Sequence, residues 1–226
     1  MHCRADRQIN ALALAKACAA HGARVKTIGH VSGLPSRDVL HLFFPDRLSV
    51  PRGRPPDSPD WYHTTNLLNR AEASIVMALY GRLRRGGFDA ADALLGAYGQ
   101  YLQVCQTPCR ISFDRAFDLI AHTEGRWLTD SPSFAVIACG RCDCEYLAAY
   151  GTSARTGEHC PFCKLTQRYA TDPRLQTAFP AQPLVSPPLH EFGMLTLLGL
   201  SPTGVAPAGG PQPGGLVGTQ VGGWQR

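Results

Sequence analysis

The chain has 226 residues, 44% hydrophobic and 17% charged, with a formal net charge of +5 and nine cysteines. Such a composition suits one large globular domain or two small ones, and the longest apolar stretch, Met194–Leu200, is far too short to span a bilayer. No signal peptide is apparent, because Lys16 interrupts Ala11–Ala20 and no clean cleavage site follows. A cytoplasmic protein with reduced thiols is therefore expected, its cysteines serving metal binding or standing idle rather than pairing as disulfides.

In chain order, residues 6–22 place Ile9, Leu12, Ala13, Ala17 and Ala20 at helical spacing, with Gly22 as the stop. Residues 1–58 hold nine Lys or Arg against four Asp, so the whole positive surplus lies in the first quarter of the chain. A local basic field suits phosphate backbones or an anionic surface, and a merely solvated face gives the same count. Ala23–Val31 and Pro35–Phe44 read as two short helices joined by a turn at Ser32-Gly33. This is helix-turn-helix grammar: Ile28 and Gly29 in the first helix, Gly33 in the turn, and Leu34, Val39 and Leu42 packing the second helix back. The second helix then offers Ser36, Arg37, Leu40 and His41 to a major groove, with Arg37 on a guanine edge or a phosphate. Arg24, Lys26, Arg52 and Arg54 are placed to neutralise phosphates. An ordinary pair of packed helices explains the same pattern, and Ser32 stands where a hydrophobic residue is more usual.

Residues 45–60 contain five prolines and read as an exposed connector. Trp61–Arg84 reads as one long helix with Leu67, Leu68, Ala71, Ile75, Ala78, Leu79 and Leu83 on its apolar face, broken by Gly86-Gly87. Asp89–Cys105 forms another, with Ala93, Leu94, Ala97, Tyr98, Tyr101 and Leu102 on one side. A further helix, capped by Ser112 or Asp114, runs to about His122.

From Ser133 the texture changes to β-prone pieces, Phe134–Ala138 and Tyr146–Tyr150, followed by a helix through Leu165–Ala170. Cys139-Gly-Arg-Cys142 and Cys160-Pro-Phe-Cys163 flank a spacer of seventeen residues. Two such knuckles bring four thiolates to one Zn²⁺ and leave no coordination position open, so the site is read as structural. Cys144 and His159 are alternative ligands. A redox dithiol is the rival chemistry, but it calls for one Cys-x-x-Cys pair in a thioredoxin-like unit rather than two. Cys3, Cys18, Cys105 and Cys109 are read as buried small side chains or idle thiols. The expected fold is mainly α: a helical body (1–132) with a helix-turn-helix-like N-terminal region, a small four-cysteine zinc ribbon-like module (133–178), and a disordered Pro/Gly-rich tail (179–226).

No phosphate loop, nucleophile elbow or His-Glu-x-x-His pattern occurs, so an enzyme is not expected. His21-Gly22-Ala23-Arg24, Leu34-Pro35-Ser36-Arg37, Pro59-Asp60-Trp61-Tyr62, Gly99-Gln100-Tyr101-Leu102 and the cysteine quartet share one further property. Together, over about residues 6–170, they resemble the bacterial flagellar transcriptional activator subunit FlhC. The resemblance implies a largely helical regulator with a four-cysteine zinc site. It further implies hetero-oligomers with the companion subunit FlhD, binding to double-stranded promoter DNA, and recruitment of RNA polymerase to flagellar genes. Cys144 and the long tail depart from the family pattern. A zinc-stabilised interaction adaptor without direct DNA contact is the alternative function.

Overall fold

The computed structural model describes residues 3–46, 48–53, 60–105, 108–150, 160–178 and 180. The expected disordered tail falls at 179 and beyond, where only Pro180 is described, so that reading lies outside the described residues; so does the part of the connector at 54–59. The first helix, α1 (Arg4–Ala20), opens on a reciprocal cap. The Asp6 N–H donates to Cys3 Sγ, and the Cys3 N–H donates to Asp6 Oδ2 at 3.1 Å. Its buried residues are Ala15 and Cys18, with Ala11, Leu12 and Ala19 packed alongside, whereas Ile9 is 66% exposed. The apolar face expected from Ile9, Ala13 and Ala20 is therefore rotated: in an alanine-rich helix the stripe is too weak to define the inward direction. Burial pushes the Cys18 thiol up to about 12, so it behaves as a small apolar filler.

Helices α2 (Val25–Ser32) and α3 (Ser36–Phe43) form the expected helix-turn-helix-like pair. Gly33 takes the left-handed conformation (φ +75°) that ends α2. A Cβ on Gly29 would meet the Leu34 carbonyl oxygen at 3.2 Å, which explains the small residue there. Ser32, read as a weak point, closes the turn: its hydroxyl donates to the Ile28 carbonyl at 2.7 Å and accepts from the Leu34 N–H at 3.2 Å. Leu34 and Val39 pack inward as expected, but Leu42 is 53% exposed. Phe43, one turn after Val39, and Phe44 pack against the core in its place, so the inward face of α3 runs through Val39 and Phe43. Gly33→Ala adds a Cβ that meets no atom within 4 Å, so its expected cost is that of the backbone alone, ~1 kcal/mol. A urea midpoint lowered at unchanged slope is the expected reading; an unchanged midpoint argues against a left-handed residue here.

The stretch read as one helix from Trp61 to Arg84 divides into α4 (Asp60–Thr64) and α5 (Leu67–Arg85). Asn66 causes the division: its side chain accepts from the Asn69 N–H at 2.8 Å and starts a new helix. Then follow α6 (Ala90–Val104), capped by Asp89, and α7 (Phe113–Glu124), capped by Ser112 and ended by left-handed Gly125. Strands β1 (Phe134–Ala138) and β2 (Glu145–Ala149) pair antiparallel, and α8 (Pro161–Thr171) and α9 (Pro173–Ala178) follow.

Among the described residues helix α5 is the hub, packing on α6, α7, both strands and α8. Ala71, Ala73, Val76, Met77 and Tyr80 are its buried apolar residues, so it is covered on several sides and the stripe through Ile75, Ala78 and Leu79 is only half-buried. Leu94, Ala97 and Tyr101 of α6 and Phe113, Phe117 and Ile120 of α7 complete that core, while Leu102 stays 40% exposed. Among the described residues no helix is long and apolar enough to cross a membrane.

Three buried carboxylates tie these helices together. Asp114 of α7 accepts from the Arg24 N–H (3.1 Å), from Arg24 Nη1 (2.7 Å) and from Thr27 Oγ1 (2.6 Å). It thus caps the start of α2, which has no side-chain cap of its own. Glu72 of α5 accepts from Tyr101 Oη, from the Arg110 N–H (2.8 Å) and from Arg110 Nη1 (2.6 Å). Asp118 accepts from Trp61 Nε1 at 2.9 Å, and the Arg115 guanidinium lies 4.9 Å from the same indole ring.

Candidate metal centre

The β1–β2 hairpin has two unlike faces, as a period of two requires. Phe134 and Leu147, with Val136 packed alongside, join the core of the helical body. Ile137, Tyr146 and Ala148 instead gather with Cys139, Cys160, Phe162 and Cys163 in a second, smaller apolar cluster. The hairpin is held by its backbone as well: Tyr62 Oη donates to the Leu147 carbonyl at 2.6 Å, and the Leu147 N–H donates to Ser74 Oγ at 3.2 Å. Tyr62 also meets Phe134 edge-on at 5.4 Å between centroids.

Cys139 follows β1 directly and Cys142 lies in the turn, where Asp143 adopts a left-handed φ of +56° and donates its N–H to the Cys139 carbonyl at 2.9 Å. Across the pair, Cys160 is the N-cap of α8, Pro161 occupies its first turn and Cys163 follows within that turn. The positive end of the α8 dipole therefore faces the thiols. The four Sγ atoms all lie within 4.8 Å of one another. Cys139 and Cys163 are 3.8 Å apart, as are Cys142 and Cys160. A disulfide needs about 2.05 Å, so these contacts are not bonds. Four thiolates at ~2.3 Å from one tetrahedral ion have edges of about 3.8 Å, which matches.

The electrostatics of the bare thiols point the same way. The backbone N–H groups of Arg141 and Cys142 draw Cys139 down to about 7. Hydrogen bonding to the Cys142 thiol, together with burial, pushes Cys163 up to about 12, and burial raises Cys160. Four sulfurs this close cannot all ionise unaided, and a bound cation removes the conflict. The donor set and its spacing fit a thiophilic metal.

All four cysteines singled out by spacing are thus brought together. Cys144 lies outside the group of four, and His159 lies outside the described residues. Cys3, Cys18, Cys105 and Cys109 are free thiols elsewhere in the fold. The basic candidates divide. Lys26, Ser36, Arg37, His41 and Arg52 are exposed. Arg24 is instead drawn into the fold. Its guanidinium is paired with Asp114, with Nη2 turned to the Arg52 carbonyl at 3.5 Å, so it joins helices rather than facing outward. Arg54 lies outside the described residues. Asp114 and Glu72 were not legible as network residues, because their partners stand 29 to 90 residues away.

The fold and the cluster define a mainly helical protein with four thiols placed to hold a metal ion. The family model of the flagellar transcriptional activator (FlhC) matches residues 5–176, and the chain belongs to this family of transcription regulators. No curated protein matches the chain significantly.

Proposed function

We propose that this chain is a DNA-binding transcriptional activator of flagellar genes, acting in the cytoplasm as a hetero-oligomer with FlhD and carrying one structural Zn²⁺ on Cys139, Cys142, Cys160 and Cys163. Family membership supports the regulatory role, and the α2–α3 pair carries the DNA reading. Val39 alone of α3 is fully buried, which leaves Ser36, Arg37 and His41 on an outward face. Lys26 and Arg52 supply phosphate contacts beside it, promoter binding precedes recruitment of RNA polymerase, and residues 133–178 act as the metal-ordered module. Exposed Leu40 and Leu42 on the same helix favour a second reading, an adaptor whose α3 meets a protein instead of a groove.

Salt separates the two. Binding of the purified hetero-oligomer to a flagellar promoter falls steeply with ionic strength if phosphates are engaged, and a flat response or no binding supports the adaptor. Arg37→Ala is expected to weaken promoter binding by ~1–3 kcal/mol with the helical circular dichroism unchanged. Binding equal to wild type takes α3 out of the DNA interface.

A further inference from the structure

We propose that Cys144 is a reserve ligand of the metal centre, positioned to replace Cys142. The inference rests on reading the quartet as a metal site. Five thiols stand near four coordination places, and they differ in how firmly the fold holds them. Cys139 and Cys160 are fully buried and Cys163 is half-buried, while Cys142 and Cys144 are both exposed in the hairpin turn.

Strand register fixes which way Cys144 faces. Ala138 pairs with Glu145, so the next rung of the ladder pairs Cys139 with Cys144, and the Cys139 N–H donates to the Cys144 carbonyl at 3.0 Å. Alternation then puts Cys144 on the side of Tyr146 and Ala148, the side that meets the cysteine cluster. Residues directly opposite on antiparallel strands hold their Cβ atoms ~4.5–5.5 Å apart. Two thiolates on one tetrahedral ion stand about 3.8 Å apart, so rotation about the Cys144 Cα–Cβ bond reaches the ion without breaking the ladder. Cys142 sits on the exposed turn formed by residues 140–143 and is itself exposed. A ligand lost there, by substitution or by oxidation, leaves a fourth thiolate one ladder rung from Cys139.

The test is the zinc content of the purified full chain, measured with a chromogenic chelator after thiol release. Wild type is the reference: protein without zinc overturns the metal reading itself, and this proposal with it. Cys142→Ser is expected to stay soluble with one zinc per chain, whereas Cys142→Ser/Cys144→Ser loses the metal. Cys144→Ser alone keeps it. Cys142→Ser that is as zinc-free or as insoluble as the double variant overturns the proposal, because the reserve thiol has then rescued nothing.

Discussion

Cys160→Ser is expected to abolish metal binding and to move the protein into the insoluble fraction. Cys160 is fully buried, occupies the N-cap position of α8, and its sulfur lies 3.8 Å from that of Cys142, so the residue belongs to both the thiol cluster and the helix start. A serine hydroxyl stays protonated near neutral pH and ligates zinc poorly, so the substitution leaves three thiolates of the quartet. Among the described residues, the apolar side chains besides the cysteines that gather around the site are Ile137, Tyr146, Ala148 and Phe162. Structural zinc in small modules supplies roughly 10–16 kcal/mol of apparent folding energy, against the ~5–15 kcal/mol by which whole domains are stable. Metal analysis of purified protein, with the soluble fraction on expression, checks the result. Full occupancy in Cys160→Ser removes it from the ligand set. Chelation of the wild type is expected to lower its thermal midpoint in the same direction.

Glu72→Ala is expected to destabilise the body by about 3–5 kcal/mol, the usual cost of deleting one partner of a buried ion pair. The Glu72 carboxylate takes the Tyr101 hydroxyl, the Arg110 N–H and the Arg110 guanidinium, and the same hydroxyl accepts the Ile111 N–H at 3.0 Å. Removing it leaves Arg110, whose side chain is 28% exposed, without its counter-charge, and leaves a buried phenol without its acceptor. A fall in thermal midpoint of roughly 10 °C follows for a unit of this size. Glu72→Gln keeps the shape and some hydrogen bonds and is expected to lose less. If Glu72→Ala melts with wild type, the Glu72 network adds nothing measurable to the packing of α5 against α6.

What the sequence disclosed and what it withheld separate by distance along the chain. Helix ends set by local chemistry were legible: Gly22, Asp89 and Ser112 mark boundaries because turn and cap residues act within three or four positions. β1 falls on the expected residues, and the doubled Cys-x-x-Cys spacing located all four sulfurs of the cluster. Asn66 splitting the long helix was missed, although a cap residue after Thr65 was the available signal. The rotation of α1 and the outward Leu42 were not legible, since a weak apolar stripe does not say which neighbour will cover it. Least visible were the charges. Arg24 counted as one of nine basic residues in a field, yet its partner Asp114 lies 90 residues on, and only the folded chain brings them together.

Because one face of the hairpin lines the body core and the other lines the thiol cluster, neither can melt without exposing apolar surface of its neighbour. Metal occupancy is then linked to the folding equilibrium of the body. Above the dissociation constant, each tenfold rise in free metal stabilises the native state by ~1.4 kcal/mol. A metal held by the four thiols is therefore expected to stiffen the body as well as the hairpin that carries them.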